Sequence, residues 1–431
     1  MSGFTCDITK TDTSTDNRLN FEIKGNQLYG FDKTIVNAIR RTLLSSIETY
    51  AFRTTYENSD ITIETNNTSL HNEFILDRIG LIPLYLDPKL PTDNPLQYLF
   101  IMNIKHDNLN PVSIITANDF EIYELKQSVM GSANYMNGLI NVIDKNNYDL
   151  TKQVPDKIKQ QIFRPFLSKY YSIITEMKST NSEENVQELV LYGSPSISIA
   201  KEDARWQGVS CSTYSYKTDE ELLKKVIQDK LKLTEKEGTD PEKYKKEFII
   251  REGQRYYHRD NQGEAYWYNF TIESQHYLDE KQLFIRANEI IIESIEGFKD
   301  ELDRLVDDTE ETNLIKMKYK DGNKNEVINM LVEMPCVIEN NNIWHGFDDT
   351  LGSIIQAHIS GKMIKDGSVL SLCGYKRTHP LEDRILFTLS MNNSEDLNEK
   401  EKTGKVVQVF KDCCGELSEI YRQIIEASIE V

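Results

Sequence analysis

The sequence predicts an α+β protein built from two related sheet–helix units and a third, mixed α/β region. Three observations carry this expectation. A pentad, Gly30-Phe31-Asp32-Lys33-Thr34, recurs as Gly346-Phe347-Asp348-Asp349-Thr350. Each copy follows a β-like stretch and precedes an amphipathic helical pattern. Each half of the chain then ends in a further helix whose apolar residues alternate in spacing between three and four.

The elements justify themselves in order. Leu19-Asn20-Phe21-Glu22-Ile23 alternates apolar and polar residues, as a half-buried strand does. After the first pentad Ile35, Ile39, Leu43 and Ile47 recur every four residues, one stripe on a helix. Asp and Thr ahead of that stripe suit an N-cap, where a side-chain oxygen accepts a free backbone N–H. Residues 58 to about 200 carry alternating strands such as Ile61-Thr62-Ile63 and Leu189-Val190-Leu191-Tyr192. Residues 217–250 are dense in Lys and Glu, with Leu222, Leu223, Val226 and Leu231 at helical spacing, and read as a solvated helical insertion. The first half closes on a helix bearing Ile291, Ile295, Phe298, Leu302 and Leu305.

Residues 307–312 are polar and acidic and read as a linker. The second half repeats the scheme. Cys336-Val337-Ile338-Glu339 is β-like, and Leu351, Ile354, Ile355, His358 and Ile359 form an apolar stripe. Val406, Phe410, Cys413, Leu417, Ile420 and Ile424 close the chain on a narrow seam. Narrow seams want a partner helix, so two like units with matching apolar faces are expected to pack as a pseudo-twofold dimer. The competing explanation is that capping chemistry alone placed similar residues before two unrelated helices.

Composition bounds the function. The chain has 431 residues, 39% apolar and 28% charged, which is a globular composition. Its formal net charge of −19 repels phosphate, so a primary nucleic-acid grip is not expected. There is no run of 18 apolar residues to span a membrane, and the N-terminus carries no secretory pattern, so an intracellular protein is expected. The six cysteines are too sparse for a disulfide framework, and residues 58–200 contain none.

No catalytic constellation stands out: the phosphate loop, the nucleophile elbow and the paired-histidine zinc motif are all missing. Cys373 and His379 could be imagined as a nucleophile and its base. The simpler account places Cys373 in an apolar strand and His379-Pro380 in a turn. Cys413 and Cys414 are adjacent on a helix, where a free Cys behaves as a small hydrophobe. Arg40 and Arg41 are the most prominent polar candidates, since a guanidinium fork can grip carboxylates or carbonyls bidentately at an interface. Ordinary solvated arginines are the alternative.

Several motifs carry a family resemblance. Asn37-Ala38-Ile39-Arg40-Arg41-Thr42-Leu43-Leu44 resembles the first dimerisation helix of the third-largest subunit of multisubunit RNA polymerases and of the bacterial alpha subunit. Residues 67–75 (NTSLHNEFI) and 77–84 (DRIGLIPL) are similar to the family's next signature. Lys201-Glu202-Asp203-Ala204-Arg205-Trp206 resembles the exit from an inserted middle domain, and Phe270-Thr271-Ile272-Glu273-Ser274 the last strand before the closing helix. In the second half, Asp349-Thr350-Leu351-Gly352, residues 374–382 (GYKRTHPLE) and residues 384–389 (RILFTL) resemble the small eleventh-type partner subunit.

The resemblance implies a fusion of the two alpha-like subunits, similar to what large cytoplasmic DNA viruses encode. It implies two alpha-subunit-like dimerisation units forming an intramolecular pseudo-dimer, residues 1–57 with 200–306 and residues 313–431, and an inserted mixed α/β domain over 58–199. It also implies a non-catalytic assembly platform that docks the largest and second-largest polymerase subunits, with small zinc-binding subunits nearby and DNA met only through the complex. Asn37, Arg40, Arg41, Glu73, Arg78, Leu81, Lys201 and Trp206 would face other subunits. Ile39, Leu43, Ile47, Leu302, Leu351, Ile354, Ile355 and Leu417 would line the intramolecular interface. Gly80 and Pro83 are expected as turn formers.

Some family members carry zinc or an iron–sulfur cluster in the middle domain. The Cys-free stretch predicts no metal and no cofactor here. The implied location is the cytoplasm of an infected cell or a virion if the source is viral, otherwise the nucleus. An alpha-like interaction scaffold outside transcription, and an enzyme with an unrecognised site, are the rival functions.

Overall fold

The computed structural model describes residues 6–11, 18–26, 31–55, 58–87, 98–124, 153–167, 169–180, 186–234, 240–261, 263–306, 314–320, 326–334, 337–339, 342–379, 381–392 and 397–429. In chain order the first elements are β1 (Asp7–Lys10), β2 (Arg18–Lys24) and α1 (Lys33–Ser45). A middle series follows: β3 (Glu48–Ala51), β4 (Ile61–Asn66), α2 (Asn72–Gly80), β5 (Tyr98–Lys105), β6 (Val112–Thr116), β7 (Glu121–Glu124), α3 (Asp156–Ile162), β8 (Ile173–Lys178), β9 (Glu188–Gly193) and β10 (Ser196–Ile199). Then come β11 (Val209–Tyr216), α4 (Glu220–Thr234), α5 (Pro241–Glu252), β12 (Trp267–Ser274) and α6 (Glu280–Val306). The last series is β13 (Ile315–Lys320), β14 (Glu326–Glu333), β15 (Val337–Glu339), β16 (Asn342–Trp344), α7 (Asp349–His358), β17 (Leu370–Arg377), β18 (Arg384–Met391) and α8 (Glu399–Ile429).

The fold is mixed α and β, with antiparallel sheets. It divides into two compact units. One holds residues 1–46, 209–274 and 279–431; the other holds residues 47–208 and 275–278.

The first unit contains two four-stranded sheets, β1-β2-β12-β11 and β13-β14-β18-β17. Both read first, second, fourth, third in their own chain order, each with a helix (α1, α7) between its second and third strands and a long helix (α6, α8) after its fourth. Alternation buries one face of each sheet. Phe21, Ile23, Phe270 and Ile272 are buried in the first, and Phe21 and Phe270 meet Phe284 of α6 at ring distances of 5.1 and 6.1 Å. Ile328, Met330, Ile385, Phe387 and Leu389 are buried in the second, and Phe387 lies edge-on to Phe410 of α8 at 5.4 Å.

The repeated pentads play matching parts, although Gly30 lies outside the described residues. Asp32 Oδ1 accepts from the Thr34 N–H at 3.0 Å, and Asp348 Oδ1 from the N–H groups of Thr350 and Leu351 at 2.9 and 3.0 Å. Each carboxylate thus caps the first turn of its helix. The preceding Phe31 and Phe347 are both buried. Gly346 has φ +62°, a left-handed conformation that a side chain would strain.

The 217–250 segment forms α4 and α5, which enclose a small core of Leu223, Ile227 and Phe248. The insertion is therefore a packed helical hairpin rather than a wholly solvated run. Ile47 departs from its expected place. Helix α1 ends at Ser45, with Ser46 as its C-cap, so Ile47 leads into β3 instead of extending the stripe. The linker expected at 307–312 lies outside the described residues.

In the second unit, β4-β9-β5-β7 form a four-stranded sheet, and β10–β3 and β6–β8 form two ribbons. Its core is aromatic: Phe100 meets Phe52, Phe120 and Phe163 at 5.1, 6.0 and 5.7 Å. No helix among the described residues is long and apolar enough to cross a membrane.

Candidate subunit interface

Helix α1 is apolar on one side, with Ile35, Val36, Ala38, Ile39 and Leu43 buried. Its polar side presents the residues singled out in the sequence. Arg40 is half-buried and its Nε donates to Asn37 Oδ1 at 3.0 Å, which fixes the stem of the guanidinium. Arg41 is exposed. A half-held fork beside a free one is a surface able to grip carboxylates or backbone carbonyls.

The remaining candidates lie in the second unit. On α2, Ile75 and Ile79 point into the core while Glu73 and Arg78 are exposed, and Leu81 just beyond is 69% exposed. Arg78 Nη1 donates to Ile174 O at 3.0 Å. Gly80 closes the helix and does more than form a turn. A Cβ there would come within 2.9 Å of Thr54 Oγ1 and 3.0 Å of Arg205 Nη1. Glycine is what lets α2 approach these groups so closely.

Lys201 is exposed, but Trp206 corrects its expected role. It is 1% exposed and donates from Nε1 to Ser196 O at 3.2 Å, so its ring is core and offers nothing to another chain. The indole instead supports two arginines the sequence reading passed over. The Arg53 guanidinium lies 4.9 Å from the ring and Arg205 lies 5.7 Å from it. Arg53 also pairs with Glu202 at 2.5 Å, and Arg205 donates to Phe52 O at 3.3 Å and to Thr54 Oγ1. For Arg205 the available signal was its place beside Trp206; Arg53 is remote in the chain and has none.

The expected intramolecular residues Ile39, Leu43, Leu302, Leu351, Ile354, Ile355 and Leu417 are all buried in the first unit. Contacts join the first-half helix α6 to the second half. Phe298 is edge-on to Phe347 at 5.3 Å and meets Phe410 at 6.4 Å. Ser294 Oγ donates to Gly346 O at 2.6 Å. Lys281 Nζ donates to Ile429 O, Arg422 pairs with Glu296, and Lys411 pairs with Asp303. Rising numbers on α6 thus meet falling numbers on α8, so the two long helices run antiparallel.

Within the second half a polar pair joins α7 to α8, with His358 buried and Glu416 part-exposed. His358 Nε2 lies 2.7 Å from Glu416 Oε2. Burial pulls the His358 pKa below its ordinary value even though the Glu416 carboxylate pulls it back up.

Chemistry elsewhere is quiet. Burial pushes the thiols of Cys373 and Cys414 up to about 12, so both are protonated near neutral pH and neither is a nucleophile. His379 is exposed in a turn where its Nδ1 accepts from the Leu381 N–H, and the buried Cys373 lies in β17. Pro380 lies outside the described residues. Among the described residues no cluster of three His, Cys, Asp or Glu could hold a metal ion.

A search of curated proteins finds no match. The family model for the RNA polymerase Rpb3/Rpb11 dimerisation domain matches residues 27–295, from just before the first pentad to the middle of α6. That span is more than half of the chain and takes in α1, the signature helix α2 and the strands of the first sheet after β2. A sheet flanked by two helices and a pair of arginines on the polar side of α1 suit a subunit that holds others together. On the strength of that match, the chain belongs to the RNA polymerase Rpb3/Rpb11 dimerisation-domain family of non-catalytic assembly subunits.

Proposed function

We propose that this single chain supplies both halves of the alpha-like platform on which the largest and second-largest RNA polymerase subunits assemble. The observation that carries the proposal is the second sheet–helix set. It lies beyond residue 295, where the family match ends, yet it repeats the strand order, the capping pentad and the closing helix of the first. The two halves are then a fused pseudo-dimer whose seam is α6 against α8. Residues 58–199, which fall within the compact unit of residues 47–208 and 275–278, are the inserted middle domain. Fusion makes the pairing of the halves intramolecular, at an effective concentration on the order of millimolar for a short linker.

Arg40 and Arg41 dock the second-largest subunit, and Asn37, Glu73, Arg78, Leu81 and Lys201 face other subunits. Small zinc-binding subunits sit beside the middle domain, and DNA is met only through the complex. The source class is a large cytoplasmic DNA virus, which places the chain in the infected cell's cytoplasm or in the virion.

The test is the double substitution Arg40→Ala with Arg41→Ala, co-expressed with the two large subunits. The variant should melt within a few degrees of the parent, since Arg41 is exposed and Arg40 gives up one hydrogen bond on its own helix, worth about 1 kcal/mol. Recruitment of the second-largest subunit should fall about thirtyfold, the loss expected when an interface arginine is worth about 2 kcal/mol. Unchanged assembly, read by size-exclusion chromatography, would count against this docking surface.

A further inference from the structure

The outer face of the second sheet is unlike that of the first, although the two sheets share one strand order. Register decides which residues lie on it. Leu331 of β14 pairs with Leu386 of β18, Lys316 of β13 flanks Leu331, and Lys376 of β17 flanks Leu386. One row therefore reads Lys-Leu-Leu-Lys across all four strands, with the lysine Cα atoms about 14 Å apart at the usual strand spacing. Lys318 is the next outward residue of β13, and Val327 and Leu372 carry the apolar character along β14 and β17.

This face is open. Helices α7 and α8 pack on the other side, where Gly352 lies against the Tyr375 ring and Ile385, and Phe410 meets Phe387. On the outer side Lys316, Lys318 and Lys376 are exposed, Leu372 is 53% exposed, and Val327, Leu331 and Leu386 are half-buried.

The first sheet provides an internal control for the charge. Its outer face, with Lys217 just past β11, sets Asp7, Glu22 and Glu273 against Arg18, Lys24 and Lys217. These charges are matched in place. Arg18 pairs with Glu273 at 3.2 Å, Lys217 with Glu22 at 2.6 Å, and Lys24 stands opposite Asp7. On the second sheet the outer face has one acid among its described residues, Glu333, and Arg384 takes it at 3.0 Å. By register Glu326 belongs to the opposite face. In the turns at the strand ends Asp383 pairs with Arg377, Glu382 accepts from Thr378 Oγ1, and Asp366 follows Lys365. The acids of residues 307–313, 321–325 and 393–396 lie outside the described residues. Among the described residues Lys316, Lys318 and Lys376 thus have no ion pair or hydrogen bond.

These two properties select the occupant. Three lysines that face no acid favour negative charge from outside. The leucines between them favour apolar cover, which a phosphate backbone does not supply. Nucleic acid or an anionic membrane would also meet the repulsion of a chain at −19. A second copy of this chain in an isologous contact would bring the same lysines against these. A polypeptide segment with both acids and an aliphatic side chain meets both demands, and an apolar centre with a charged rim is the usual anatomy of a protein interface.

We infer that the Lys316–Leu331–Leu386–Lys376 row docks a segment of another polypeptide whose acidic side chains stand on both sides of an aliphatic anchor. This deepens the assembly function proposed above, on which it rests, by giving the second half of the platform a contact of its own.

The experiment places a photoreactive amino acid at Thr388, the outward residue next to Leu386 on β18, in the full chain. The complex is purified from its source, irradiated, and the cross-linked peptide mapped. The expected result is one site on another polypeptide, with acidic residues on both sides of a Leu, Ile or Val. Lys316→Glu with Lys376→Glu should then lower the cross-link yield at least about tenfold through like-charge repulsion, while the free chain melts as the parent does. A cross-link to nucleic acid, to lipid, to a second copy, to a basic segment or within the same chain overturns the inference, as does a yield indifferent to the charge reversal. Absence of any cross-link overturns it whether or not the large subunits are present. Large subunits missing from the complex, with the acidic segment still marked at Thr388, would instead overturn the assembly function and leave the docking site standing.

Discussion

At the residue scale, His276 shows how one side chain can fix a pH limit. Its Nδ1 accepts from the Leu278 N–H at 3.0 Å, so its proton sits on Nε2, 2.8 Å from Glu48 O. Neutral imidazole satisfies both neighbours. Burial holds the pKa below its ordinary 6.5, and a second proton, on Nδ1, would also face the Leu278 N–H. The unfolded chain takes up that proton at about pH 6.5 and the folded chain does not. Stability is therefore full above about pH 6.5 and is lost as pH falls from there through the depressed folded value.

His276→Gln should lower stability at pH 7.5 by about 1–2 kcal/mol, from the loss of buried hydrogen bonds. It should also flatten the fall below about pH 6.5 relative to the parent. Thermal melts across pH check this, and an unchanged acid slope would mean His276 is not the group responsible. Trp206 teaches a related lesson at the same scale. Its motif is legible in sequence, but whether an indole faces solvent or core depends on Ser196 and Arg53, which only the fold brings to it.

At the element scale, the strongest sequence signals were periodicity and capping, and both are local. The stripes Ile35-Ile39-Leu43 and Leu351-Ile354-Ile355 needed only helical spacing to be read, and Asp32 and Asp348 cap them by contacts two or three residues away. What local pattern could not supply was the end of α1, which placed Ile47 in the next element, and the identity of groups that pair between helices. His358 and Glu416 are 58 residues apart and their pairing has no spacing rule. The packed interior of the α4–α5 hairpin was hidden for the opposite reason: its Lys and Glu content outweighed the three residues that form its core.

Phe298 is where the seam can be tested, since its ring touches Phe347 before α7 and Phe410 on α8. Phe298→Ala should destabilise the first unit by about 3–5 kcal/mol through the cavity it leaves. Denaturant unfolding checks this, and a loss below about 1 kcal/mol would place the ring outside the load-carrying part of the seam.

At the scale of the whole molecule, the chain is acidic and joins two similarly ordered sheets through antiparallel helices in one compact unit. A family built on dimerisation ordinarily needs two partners to complete a platform. If one chain supplies both halves, the assembled enzyme should contain a single copy of it. Native mass spectrometry of the complex with the two large subunits measures this directly. The account predicts one copy of this chain for each largest subunit, with no separate alpha-like partner. Two copies per complex, or one copy paired with an additional small dimerisation subunit, would contradict it.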